Sequence, residues 1–282
     1  MWIRTKCSLN FHLEEATPLI LMLRPRNGLQ QWIYRESYHM TPTVPIIEYT
    51  DNYGNICQRL VASANKFRID TSADVMTMDK TEKNELTYFV EIPNLPDSIL
   101  TFLYPSRFCE SDRFGKMARE IVADAQPGYE QVEFIKTWIS NSIQYMPGSS
   151  EYPESAAEVN MKGYGVCRDL AHLGISLCRS LSIPARLVVG YLHGLKPMDL
   201  HAWYEAYVGD RWYTFDPTQR DVRGGRVVIA YGRDAADVAV YTQFGPPAIY
   251  TSIDVSVELL NAEGTGHDGI GSPMFRATAN PK

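Results

Sequence analysis

The sequence predicts an α+β protein in two units: an antiparallel β-sandwich over residues 1–105, then a unit of helices packed on an antiparallel sheet over residues 106–262. A polar, Gly-rich tail over 263–282 follows. Three observations carry this reading. Up to about residue 105, β-branched and aromatic residues alternate with polar ones between turn signals. Three prolines within "IPNLPDSILTFLYPSRF", residues 92–108, then break regular structure. Beyond residue 112, apolar residues recur at helical spacing, and strand patterns return only near residue 185.

In the first unit, "WIRTKCSLNFHL" (2–13), "PTVPIIEYTDNYGNICQRLVA" (42–62), "FRIDTSADVMTM" (67–78) and "ELTYFVEIP" (85–93) read as strands, with "DNYGN" (51–55) as a turn. Such strands without helical periodicity suit a sandwich. In the second unit, "DRFGKMAREIVADA" (112–125) and "YEQVEFIKTWISNSIQYM" (129–146) are helical, "PGSSEYPESAAEVNMKGYG" (147–165) is a polar loop, and a third helix begins near residue 167. Only after these three helices come the strands "ARLVVGYL" (185–192), "HAWYEAYV" (201–208) and "RWYTFDP" (211–217).

Composition bounds the function. With 45% hydrophobic and 21% charged residues among 282, the chain can bury real cores without metals or disulfides. The net charge of −6 comes without a basic block, which argues against nucleic acid or an anionic membrane surface as the main partner. The longest apolar run near the amino end, Leu19 to Leu23, is too short for a signal-peptide core or a membrane span, so a cytoplasmic location is expected. Cys7, Cys57, Cys109, Cys167 and Cys178 are odd in number and scattered, which fits reduced thiols.

The stretch "GYGVCRDLAHLGISLCRSL", residues 163–181, places a thiol where a helix starts. Cys167, Ala171, Gly174 and Cys178 form one stripe of small residues, which lets a helix lie close to a neighbouring sheet. Free N–H groups and the dipole at a helix start favour a thiolate there. Asp169 complements the same dipole. Gly163 and Gly165 leave room for a substrate to approach. Taken alone, a free cysteine is more often an inert core residue, and Cys178 is read that way.

In "DLHAWYEAYVGDRWYTFDPTQ", residues 199–219, His201, Trp203, Glu205 and Tyr207 share one strand face. A two-residue turn at Gly209-Asp210 pairs Val208 with Arg211 and puts Trp203 opposite Asp216. His201 and Asp216 then become diagonal neighbours, within side-chain reach. A loop one residue longer would separate their faces. A thiol, a base and an orienting carboxylate are the requirements of nucleophilic acyl chemistry. In that chemistry Cys167 attacks an acyl carbon, His201 manages the proton and Asp216 orients the imidazole. The Cys167 backbone N–H supplies one oxyanion donor; the sequence shows no second.

"GVCRDLAHLGISLCRSLSIPARLVVGYL", "DLHAWYEAYVGDRWYTFDPT" and "GRDAADV" resemble the bacterial transglutaminase-like, papain-related proteins, and "LMLRPRNGLQQ" and "YTDNYGN" resemble the β-sandwich that precedes their catalytic unit. The resemblance covers most of the chain to about residue 260. It implies a papain-like transglutaminase core, with the nucleophile at Cys167, the base at His201 and the carboxylate at Asp216. It also implies acyl-enzyme chemistry on a peptide or protein amide, with no metal or cofactor. Arg168 and His172 match the family pattern but point away from the small stripe, which suits structural contacts. Trp203, beside the base, is a wall of the site, a shield of the His201–Asp216 pair from water, or ordinary sheet packing.

Hydrolysis would make the protein a thiol protease or amidase, and an amine acceptor would make it a transglutaminase. A binding module that has lost activity usually shows a replaced member of the three, and none is replaced here. A metal hydrolase would usually show C-x-x-C or H-E-x-x-H spacing, which the chain lacks. Substrate, oligomeric state and the contribution of the sandwich are not written in the sequence.

Overall fold

A computed structural model describes residues 1–28, 30–150, 152–219 and 223–260; the tail assigned to 263–282 lies outside the described residues. The first six strands are β1 (Trp2–Leu13), β2 (Thr17–Leu21), β3 (Gln31–Thr41), β4 (Ile46–Thr50), β5 (Ile56–Ala62) and β6 (Asn65–Thr77). They form most of two four-stranded antiparallel sheets, ordered β14-β1-β6-β3 and β13-β2-β5-β4. The strands that complete them, β13 (Tyr241–Gln243) and β14 (Tyr250–Leu260), come from the far end of the chain. Alternation along β1 buries Ile3, Leu9, Phe11 and Leu13 against Leu19, Leu21 and Leu60 of the facing sheet. Asp51 closes the "DNYGN" turn by accepting the backbone N–H groups of Tyr53 and Asn55, each at 2.8 Å.

Residues 85–93 do not form the strand expected of them. They make a single bridge, Tyr88 to Gly128, while Leu86 and Tyr88 point to solvent. The segment's backbone bonds go instead to the start of the helix at Tyr129 and to the hairpin turn, with Thr87 O accepting Tyr129 N and Tyr88 O accepting Gly209 N, both at 2.9 Å.

Beyond the short α1 (Asp97–Leu100) lie α2 (Gly115–Ile121), α3 (Tyr129–Ser142), α4 (Ala156–Lys162) and α5 (Cys167–Ser180). The reading of three helices before any strand needs correction twice. The segment read as a polar loop contains α4, started by a capping box in which Ser155 and Glu158 exchange hydrogen bonds with each other's backbone N–H groups. A two-residue parallel pair, β7 (Gln144–Tyr145) with β8 (Tyr164–Gly165), also precedes α5.

The second sheet is antiparallel, ordered β11-β10-β9-β12, from β9 (Ala185–Leu192), β10 (His201–Val208), β11 (Arg211–Phe215) and β12 (Arg226–Gly232). Its front face receives α5. At Gly174 an added Cβ would stand 2.5 Å from the Tyr204 ring, so the small stripe does bring the helix onto the sheet. The rear face meets the sandwich. There the Gln31 side-chain amide accepts from Val228 N at 2.7 Å and donates to Val228 O at 2.9 Å. Asn55 does the same for Tyr231, at 2.9 and 2.7 Å. Two amide side chains thus act as a surrogate strand along β12, the edge strand of its sheet. One hydrophobic core runs through both units.

Candidate active site

Val166 is extended and Cys167 is the first helical residue of α5. Asp169 holds this start in place. Its carboxylate accepts Val166 N at 3.2 Å, Arg168 Nε at 3.0 Å and the Ser150 hydroxyl at 2.5 Å, all while fully buried. It therefore caps the helix and ties down the preceding loop, a larger part than dipole compensation alone. Of the five cysteines, Cys7, Cys57, Cys109 and Cys178 are buried and Cys167 is half-buried. Burial pushes the Cys7 and Cys109 thiols up to about 12 and raises that of Cys178 as well.

The hairpin follows the sequence register. Val208 pairs with Arg211 and Tyr204 with Phe215, across Gly209 and Asp210, both at positive φ. His201 and Asp216 accordingly meet, with Nε2 to Oδ2 at 2.8 Å and both side chains buried. The face shared by His201, Trp203 and Glu205 is the rear one, opposite Tyr204 and α5. The thiol and the imidazole meet because each begins its element: Cys167 opens α5 and His201 opens β10, at the same end of the sheet. His201 Nδ1 is buried and makes no hydrogen bond of ordinary geometry, yet the Cys167 thiol lies close enough to help raise the imidazole. Burial alone would lower the His201 pKa. The Asp216 carboxylate, with Cys167, overcomes it and lifts the ring to about 9.

Asp216 is held from four directions. Oδ2 accepts from His201 Nε2 and from Arg226 Nη2, both at 2.8 Å. Oδ1 accepts from Thr218 N at 3.0 Å and from the Thr218 hydroxyl at 2.7 Å. Burial would raise this carboxyl, but the charges of Arg226 and His201 keep it well below the usual carboxylate range. Arg226 is absent from the sequence reading. It lies on β12, at the opposite edge of the sheet from β11, with no local motif to mark it.

Trp203 is fully buried, its ring 6.0 Å from that of His201 and beneath the Arg226 guanidinium at 4.8 Å. It packs with Val188 and Val228, so it screens the buried ion pair from the rear of the sheet. His172 is structural. Its Nδ1 lies 2.8 Å from Glu154 O, its Nε2 accepts Ala235 N at 3.2 Å, and it stacks on Phe108. Burial lowers its pKa, consistent with a neutral ring. Tyr145 on β7 pairs with Gly165, two residues before the thiol, and burial, then the charges of Cys167 and Asp216, raise its phenol. Among the described residues no group of three or more His, Cys, Asp or Glu could hold a metal ion.

A helix-borne cysteine facing a histidine–carboxylate hairpin, behind a β-sandwich, defines the class of fold to which the comparisons point. The model of the transglutaminase-like superfamily matches residues 115–217, a span that contains Cys167, His201 and Asp216 and stops short of Arg226. The chain is 30% identical over 280 residues to an uncharacterized protein of Mycobacterium tuberculosis, covering 86% of each. It is 26% identical over 255 residues to one of Mycobacterium leprae, covering 84% of this chain and 89% of that protein. Among solved structures, a Cytophaga hutchinsonii protein described as a "putative cysteine protease" superposes with a TM-score of 0.83 at 35% identity, over 93% of this chain and 92% of that one. The chain belongs to the transglutaminase-like superfamily.

Proposed function

We propose that the protein is a thiol-dependent acyl-transfer enzyme acting on peptide or protein amides, a cysteine peptidase or amidase, with Cys167, His201 and Asp216 as its triad. The observation that carries this is selective: the cysteine that escapes burial is the one beside the raised, Asp-anchored histidine. The Cys167 thiolate adds to the amide carbon and the carbonyl oxygen takes the charge. The C–N bond then breaks, the imidazolium of His201 giving its proton to the leaving amine, and a thioester remains. Water attacks the thioester, neutral His201 accepts its proton, and the acid leaves as the thiol is restored. Asp216 orients the ring throughout.

The N–H of Cys167, at a first-turn position with no intrahelical acceptor, serves as one oxyanion donor. Tyr145, paired with Gly165 two residues before Cys167, is the side chain we assign as the second. No metal or cofactor is required, and the location proposed is the cytoplasm.

The test is release of amine from a panel of peptide amides by the full chain, with Cys167→Ala as control. Cys167-dependent release supports the reading, and equal release by both proteins contradicts it. A primary amine added to the same assay separates hydrolysis from transamidation, because an amine acceptor would capture the acyl group as a new amide.

A further inference from the structure

Asp216 divides one oxygen between two cations. We infer that Arg226 is a positioning residue that keeps Asp216 ionised when His201 gives up its proton, and that the β-sandwich holds Arg226 in that position. The inference rests on the triad reading above and extends it to a residue outside the matched span.

The geometry supports each part. Arg226 Nη2 donates to Asp216 Oδ2, the oxygen that also accepts His201 Nε2. Both side chains are buried, and the guanidinium lies on the Trp203 ring. Gly190 helps leave space for that stack, since a Cβ there would stand 3.1 Å from the Trp203 ring and 2.1 Å from Val227 O. Other acids near Arg226 are taken: Glu205 by Arg186, at 2.6 and 2.8 Å, and Glu82 by Arg211. Lys80 lines the same small cavity as Arg226. Around His201 stand Asp216 from the end of β11, Cys167 from α5 and Asp199 from the loop before β10; Tyr145 of β7 faces the same charges. Among the described residues, Arg226 is thus the one cation hydrogen-bonded to Asp216 apart from the ring itself.

Deacylation requires neutral His201. At that moment the ring still donates Nε2–H but carries no charge, so Arg226 is the counter-ion left to the buried carboxylate, and a buried charge without one is strongly disfavoured. Without Arg226, His201 would retain its proton to higher pH so as to keep Asp216 compensated. The sandwich fixes the strand that carries Arg226. Thr77 Oγ1 donates to Arg226 O at 2.7 Å, and two residues on, Gln31 clasps Val228 from both sides.

The test has two arms. In a Cys167→Ala background, NMR titration of the His201 imidazole needs no activity. Arg226→Gln should raise its midpoint by about one unit, roughly tenfold in proton affinity. Arg226→Lys should restore most of the original value, and Thr77→Val should give a smaller rise of the same sign. A midpoint unchanged or lowered in Arg226→Gln overturns the inference, and should the glutamine variant not fold, an unchanged or lowered midpoint in Thr77→Val does so. With Cys167 intact, Arg226→Gln should keep the acyl-enzyme burst while the pH needed for turnover shifts upward. Loss of burst and turnover together, with no pH shift, also overturns it. A shift in Arg226→Gln together with a wild-type chain inert to amides would reject the enzyme reading and leave the role of Arg226; an active enzyme without the shift would do the reverse.

Discussion

His201 gives Nε2 to Asp216 at 2.8 Å and leaves Nδ1 unpartnered on the side of Cys167. The carboxylate therefore fixes the tautomer: with Nε2 as donor, a neutral ring presents Nδ1 as the acceptor, the role a general base needs. The same bond makes the pair's chemistry sensitive to either partner.

Asp216→Asn should lower turnover by about 10²- to 10⁴-fold and leave measurable activity, because the imidazole survives with poorer orientation, whereas Cys167→Ala should abolish turnover. The asparagine also leaves Arg226 without its counter-ion, at a cost of about 3–5 kcal/mol in stability. Turnover and thermal unfolding measured on the same samples separate the two effects. Total loss in both variants, with folding intact, would give the carboxylate a larger part than orientation.

The titration of His201 links pH to stability. Its folded pKa, about 9, lies above the unfolded value near 6.5. Its contribution is therefore fully present below about pH 6.5 and is lost as pH rises through about 9, amounting to a few kcal/mol at most. Denaturant midpoints measured from pH 6 to 10 should fall across that window in the native chain. They should fall less in His201→Gln, and an identical decline in both would contradict the assignment.

Gly174→Ala should be costly at a position that looks harmless in sequence. The new methyl would meet the Tyr204 ring at 2.5 to 2.9 Å, and neither the helix nor the buried ring can yield cheaply. A loss of about 1–3 kcal/mol is expected, with slower alkylation of Cys167 as α5 is pushed from the sheet. Unchanged stability would mean that the helix sits further from β10 than described.

Tyr145→Phe removes the proposed second oxyanion donor while keeping the ring. Turnover should fall by about 10²- to 10³-fold with little change in KM. A change confined to KM would make Tyr145 a substrate contact instead.

Much of this site was legible because it is local. Gly209 and Asp210 dictate a two-residue turn, the turn sets the register, and the register alone brings His201 to Asp216. The small stripe likewise announces its close approach at Gly174. What sequence left hidden is what distant strands bring together. Arg226 reaches Asp216 from the other edge of the sheet, and β14 pairs with β1 across nearly the whole chain, so neither has a neighbour in sequence to signal it. The short α4 was legible in principle, since Ser155 and Glu158 have capping-box spacing, but its seven residues sit within a polar stretch. Residues 85–93 failed the other way, with strand-forming side chains whose backbone is instead spent on the start of α3 and on the hairpin turn at Gly209.

The central claim is that Cys167 is an activated nucleophile, and its alkylation tests this most directly. Iodoacetamide at pH 6.5, followed by mass spectrometry of the intact chain and its peptides, should modify Cys167 ahead of the four buried cysteines and at least about tenfold faster than a free thiol, with His201→Ala slowing it. A rate equal to that of a free thiol, or one indifferent to His201, would contradict the account.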